Sequence, residues 1–240
     1  MSLGYTVRVS QVEPRAIAVF AAEGSEAQAL REGLGLHEAV VGPMPIHRGR
    51  FAEREIVLLE AGVGKAAAAA SVTYAHTRFA PEQAVWVGVA GALNPAFQPL
   101  DLIIAFDAVQ YDVDITAFGR QPGELATGER FLPTDPELSH RLYQAAVRLG
   151  FPVYWGRLAS ADRFLADPGL AHQVRQTFAA DAVEMEGAAA LWAARSLGLR
   201  LALVRAISDG AGEEANESFE VLLESASARL AALLVGMLGG

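Results

Sequence analysis

Short runs of almost unbroken apolar residues recur along the chain: Ala16 to Ala22, Ile56 to Gly62, Ala84 to Gly91, Leu102 to Val109, Val153 to Ser160, Asp181 to Met185 and Leu201 to Ser208. Hydrophobicity this continuous over so few residues predicts strands covered on both faces. Between them lie stretches with helical spacing: Ser25 to Gly33, Lys65 to Phe79, Asp135 to Leu149, Pro168 to Phe178, Glu186 to Leu197 and Asn216 to Leu238. Strands alternating with helices predict an α/β sandwich on a parallel or mixed sheet.

The weakly patterned stretch is Thr116 to Pro133, which carries Arg120, Glu124, Glu129 and Arg130 among several Gly and Pro breakers. Strand-like segments continue on both sides, so it reads as a long functional loop rather than a linker. With no internal repeat, one domain over residues 1–240 is the simplest account, residues 1–14 being an N-terminal extension or in part a cloning remnant.

Composition narrows the function. At 240 residues and 52% hydrophobic content the chain is long enough for one sizeable core. A net charge of -9, with no run of basic residues, argues against nucleic acid or an anionic membrane as the main partner. The chain has no cysteine, which removes disulfides, thiol nucleophiles and Cys-ligated zinc. His37, His47, His76, His140 and His172 show no close ligand spacing, so no metal site is expected. No apolar run reaches the length of a membrane span and the N-terminus lacks a leader pattern, giving a cytoplasmic expectation.

In open α/β sheets ligands gather where strands end, and five such junctions stand out. Glu23 and Glu26 flank the first, where acidic residues either favour the helix dipole or supply a catalytic carboxylate. Gly62, Gly64 and Ala67 satisfy G-x-G-x-x-A around Lys65, the only lysine. Leu59 and Ala66 break the phosphate-loop pattern, and the next strand ends in VGVAGAL without the acidic residue that a dinucleotide site needs. Gly88 and Gly91 in that stretch let backbone approach a ligand or simply form a tight turn. Glu184 and Glu186 bracket Met185, one at least binding ligand hydroxyls or both forming salt bridges. Arg205, Ser208 and Asp209 close the last strand, the aspartate being either a general acid or a cap.

Taken together, AAEGSEAQAL, EAGVGKAAAA, VGVAGALNP, DVDITAFG, RLASADRFL, AVEMEGAAA and VRAISDGA resemble, in order and spacing, the 5'-methylthioadenosine/S-adenosylhomocysteine nucleosidases of the purine nucleoside phosphorylase superfamily. The resemblance runs from about Ala16 to the last helix. It implies a three-layer αβα sandwich with a central mixed, twisted sheet, and cofactor-free hydrolysis of an N-ribosidic bond.

By the resemblance, Asp209 protonates the base with Ser208 beside it, Glu26 activates water, Glu186 receives the ribose hydroxyls and Arg205 orients Glu26 or the water. Phe164 and the backbone of Leu165 hold adenine, Met185 packs on the ribose, Phe219 lines the 5' pocket, and Glu184 and Val89 are counted among the substrate-binding residues. Phe118 corresponds to a residue that reaches a neighbouring subunit's site, implying a homodimer. Val89 and Tyr111 depart from the family's usual Ser and His. Other readings on the same fold are a futalosine or aminodeoxyfutalosine hydrolase, a phosphorylase, or a nucleoside-binding protein without activity.

Overall fold

The computed structural model describes residues 16–211 and 215–240, with side chains described to 211 and from 222 onward. Residues 1–14 lie outside that set.

In chain order the elements are β1 (Ile17–Ala21), α1 (Gly24–Leu34), β2 (Glu38–Val40), β3 (Ile46–Phe51), β4 (Arg54–Glu60), α2 (Lys65–Phe79), β5 (Gln83–Ala92) and β6 (Leu102–Gln110). A 3-10 turn at Thr116–Phe118 follows, then β7 (Leu132–Pro133), α3 (Pro136–Arg148), β8 (Val153–Ser160), α4 (Pro168–Phe178), β9 (Ala182–Glu184), α5 (Gly187–Leu197), β10 (Arg200–Asp209) and α6 (Ala215–Leu238). Every strand predicted from the apolar runs is present. The hairpin of β2 and β3 and the two-residue β7 were not predicted, because EAV is too short and IHRGRF too polar to read as a strand.

The strands form one mixed sheet in the order β10-β6-β8-β9-β5-β1-β4-β3-β2. β10 also pairs parallel with β5, from Arg200 opposite Gln83 to Asp209 opposite Gly91, so β10, β6, β8, β9 and β5 close on one another. β9 makes this closure with two short pairings, parallel to β8 and antiparallel to β5.

Helices cover both faces, as a sheet of buried strands requires. On one side Val72 and Ala75 of α2 and Ala190 and Leu191 of α5 pack with Trp86, Ile103 and Leu203. On the other, Leu30 and Leu34 of α1, Leu138 and Leu142 of α3 and Leu230 and Leu234 of α6 meet Val19, Val85 and Val204. Trp86 stacks on Phe20 with ring centroids 5.1 Å apart. The αβα layering agrees with the sequence expectation. Among the described residues no helix is long and apolar enough to cross a membrane.

Local sequence fixes the helix starts that matter for the site. α1 begins behind Glu23, whose amide donates to Glu26 Oε2. α2 begins at Gly64, whose φ of 98° lies where glycine alone is comfortable. α5 begins behind Glu186, which takes the N-cap position without making a cap hydrogen bond with its side chain. Two of the predicted carboxylates therefore stand at helix N-termini, where backbone N–H groups are free to donate.

Candidate active site

The carboxyl ends of β1, β5, β9 and β10 surround a cavity of about 330 Å³. Glu26, Val89, Phe164, Leu165, Glu184, Met185, Glu186, Ser208 and Asp209 all line it, although they come from five separate stretches of the chain. Phe118 stands apart, 85% exposed on its turn. Phe219 lies outside the residues whose side chains are described.

Glu26 is buried, and its carboxylate is gripped by backbone. Oε2 accepts from the amides of Ala22 and Glu23 at 3.1 Å each, and Oε1 accepts from Val89 at 3.0 Å. Burial raises its pKa, against those amides and the positive charge of Arg205. The Val89 contact joins the first and third junctions directly, and it uses the backbone, so the side chain at 89 is not what holds Glu26.

Asp209 lines the cavity at the end of β10. Its Oδ2 accepts from Ser208 Oγ and its Oδ1 from the Ala211 amide, both at 2.7 Å. Burial pushes its pKa up despite these donors. A Cβ at Gly91 would lie 2.7 Å from Asp209 Oδ1, so this glycine is what lets β5 pass the acid.

Glu184 and Glu186 separate into two roles. Glu184 accepts from Ser160 Oγ, from Arg205 at 2.6 Å and from the amides of Glu186 and Gly187 at 3.1 and 2.7 Å. Both its oxygens are therefore engaged. Glu186 accepts one hydrogen bond among those seen, from the Gly64 amide at 2.8 Å. Burial, then the like charge of Glu184, pushes its pKa up to about 8.

Arg205 is fully buried and donates to Glu184, Trp86 O and Val204 O. It acts on Glu26 through its charge and makes no hydrogen bond to it. Sequence reasoning did not single out Val63, Trp86 and Arg163, which also line the cavity. Val63 lies inside the G-x-G turn and Arg163 directly before Phe164, so proximity to those motifs was the available signal. Nothing local marked Trp86, a buried residue in the middle of β5.

A cavity that combines apolar surface with three separately supported carboxylates, each with its pKa raised by burial, defines an α/β protein built for acid–base chemistry on a small polar ligand. A family model described as "Phosphorylase superfamily" matches residues 16–239. The 5'-methylthioadenosine/S-adenosylhomocysteine nucleosidase of Geobacillus kaustophilus is 36% identical over 224 residues, spanning 92% of this chain and 95% of that protein. The aminodeoxyfutalosine nucleosidase of Campylobacter jejuni is 34% identical over 171 residues, spanning 71% of this chain and 75% of its own. Among solved structures, the 5'-methylthioadenosine/S-adenosylhomocysteine nucleosidase of Neisseria meningitidis superposes with a TM-score of 0.90 at 30% identity, covering 94% of this chain and 99% of that one. The chain belongs to the phosphorylase superfamily and, within it, to the family of the 5'-methylthioadenosine/S-adenosylhomocysteine nucleosidases, which are N-glycosyl hydrolases.

Proposed function

We propose that this protein hydrolyses the N-ribosidic bond of 5'-methylthioadenosine and S-adenosylhomocysteine, releasing adenine and the thioribose product. The observation that carries the reading is the placement of Glu26, Glu186 and Asp209 around one cavity, each buried and each tied to at least one backbone amide.

Breaking the C1'–N9 bond leaves a cationic sugar and a poor leaving group, so the base must gain a proton while water attacks the sugar. Asp209, whose pKa burial raises and whose carboxyl Ser208 steadies, delivers a proton to adenine N7. Glu26 takes the proton from the water; its three amide donors fix its orientation while the raised pKa makes it a better base. Glu186, in its ionised form, accepts the ribose hydroxyls, a contact that strengthens as positive charge grows on the ring. Glu184 and Arg205 brace this wall through their ion pair, and the Arg205 charge favours the ionised form of Glu26. Phe164, Leu165 and Met185 supply the apolar surfaces for base and sugar.

Phosphate is not expected as a substrate, because Glu26 and Val89 meet where a phosphorylase would need cationic and hydroxyl groups for the anion. The working unit is a homodimer in the cytoplasm, with Phe118 set against the partner's site. The exposure of this ring on its own chain supports that reading.

A second reading has a specific observation behind it. Val63 and Phe164 leave 49% and 42% of their surface exposed at the cavity, an apolar rim that also suits the aromatic 5' group of a futalosine-type nucleoside. Base release from methylthioadenosine, adenosylhomocysteine and aminodeoxyfutalosine, measured with and without phosphate, tests all of this. Phosphate-independent adenine release from the first two is expected. Turnover of aminodeoxyfutalosine alone replaces the first reading by the second, and no release from any of them overturns both.

A further inference from the structure

Lys65 is the only lysine in the chain, and the mechanism above does not use it. Its Nζ lies 2.6 Å from Asp112 Oδ1, with both side chains partly shielded. Its backbone amide donates to Asp162 Oδ1 at 2.7 Å, and the Asp162 amide donates to Asp112 Oδ2 at 3.2 Å. Three loops are thereby tied together: the turn from β4 to α2, the segment after β6 and the segment after β8. They meet beside the cavity, since Val63 on the first and Arg163 on the third both line it.

The residue enclosed by this knot is Gly64. Its amide is the donor to Glu186 Oε1, and a Cβ on it would stand 2.9 Å from Asp162 Oδ1. Consecutive amides of one turn therefore point at two carboxylates, Gly64 N–H at Glu186 and Lys65 N–H at Asp162. A turn that lost its Asp162 and Asp112 anchors would be free to rotate the Gly64 amide away from Glu186.

We infer that Lys65, Asp112 and Asp162 form a positioning clamp that holds the Gly64 amide on Glu186 and so presets the ribose-binding carboxylate. The clamp touches no reacting atom. Its effect on substrate rests on the function proposed above for Glu186; its effect on the Gly64 amide does not. The charged groups facing Glu186 are Glu184 from β9, Arg205 from β10 and Glu26 from α1, with Lys65 and Asp162 beyond the Gly64 turn.

Lys65→Met and Asp162→Ala change the local charge in opposite directions, which separates positioning from simple electrostatics. If the clamp positions, both variants speed hydrogen exchange of the Gly64 amide at least about tenfold, both raise KM about tenfold with kcat held within about threefold, and both move the acid limb of kcat/KM to higher pH. Charge alone would move that limb up for Lys65→Met and down for Asp162→Ala. Lys65→Arg keeps the cation and should restore most of the affinity. Unchanged Gly64 exchange in both variants, or limbs that follow the charge, overturns the clamp. A wild-type protein without nucleoside turnover overturns the proposed function instead, and the exchange measurement then decides the clamp alone.

Discussion

Glu186 shows how a single residue couples the site to stability. Its folded pKa of about 8 lies above the ordinary 4.5, so the folded protein keeps a proton that the unfolded chain releases. Stability therefore falls as pH rises between those values, at a rate of up to about 1.4 kcal/mol per pH unit. Glu186→Gln removes the titration. The variant should be more stable than wild type near pH 9 and indistinguishable from it near pH 4.5, with urea unfolding at both pH values as the measurement. A difference of equal size at both would mean that Glu186 does not hold the proton. At this scale the strand-end pattern pointed to a pair, Glu184 and Glu186, and the choice of Glu186 for the ribose came from the resemblance rather than from the local residues. The physical distinction is the placement of Ser160 and Arg205 against Glu184, and those residues lie 24 and 21 positions away.

Elements depend on the same contacts. β9 is three residues long and joins two otherwise separate edges of the sheet, so its hold cannot come from ladder hydrogen bonds alone. The bond from Arg205 on β10 to Glu184 at the end of β9 ties it from within the core. Arg205→Leu leaves a buried carboxylate without its cation and should cost about 3–5 kcal/mol in denaturant unfolding, with Glu184→Gln in the same chain recovering a large part. Loss below about 1 kcal/mol would show that the pair is not structurally important. Helix bounds were legible where local start signals were strong: α2 follows the Gly64 turn with a run of alanines and α4 follows the Asp167-Pro168 start, and both match their predicted bounds at Lys65–Phe79 and Pro168–Phe178. β2, β3 and β7 were not, since they are short or polar and owe their extended form to a neighbouring strand.

For the whole molecule, the proposed dimer makes the plainest prediction. Phe118 projects from a turn anchored by Asp114, which accepts from both the amide and the hydroxyl of Thr116. Burying such a ring in a partner is worth roughly 1.5–3 kcal/mol, so Phe118→Ser should weaken self-association at least about tenfold in sedimentation equilibrium and make turnover fall on dilution. Dimerisation unchanged by the substitution would remove Phe118 from the interface.

The order of strands and helices, the covered sheet and the identity of Glu26, Glu186 and Asp209 as candidates were set by the sequence itself, because apolar runs and strand-end carboxylates are local patterns. The convergence of those carboxylates was decided by the tertiary structure: β10 pairs with both β5 and β6, closing the sheet so that residues 26, 186 and 209 share one cavity. The upward shift of their pKa values was decided there too, since burial, and for Glu186 the nearness of a like charge, have no counterpart in a linear chain. The same holds for Lys65, whose partners Asp112 and Asp162 lie 47 and 97 residues away and become neighbours only once three loops meet at one end of the sheet.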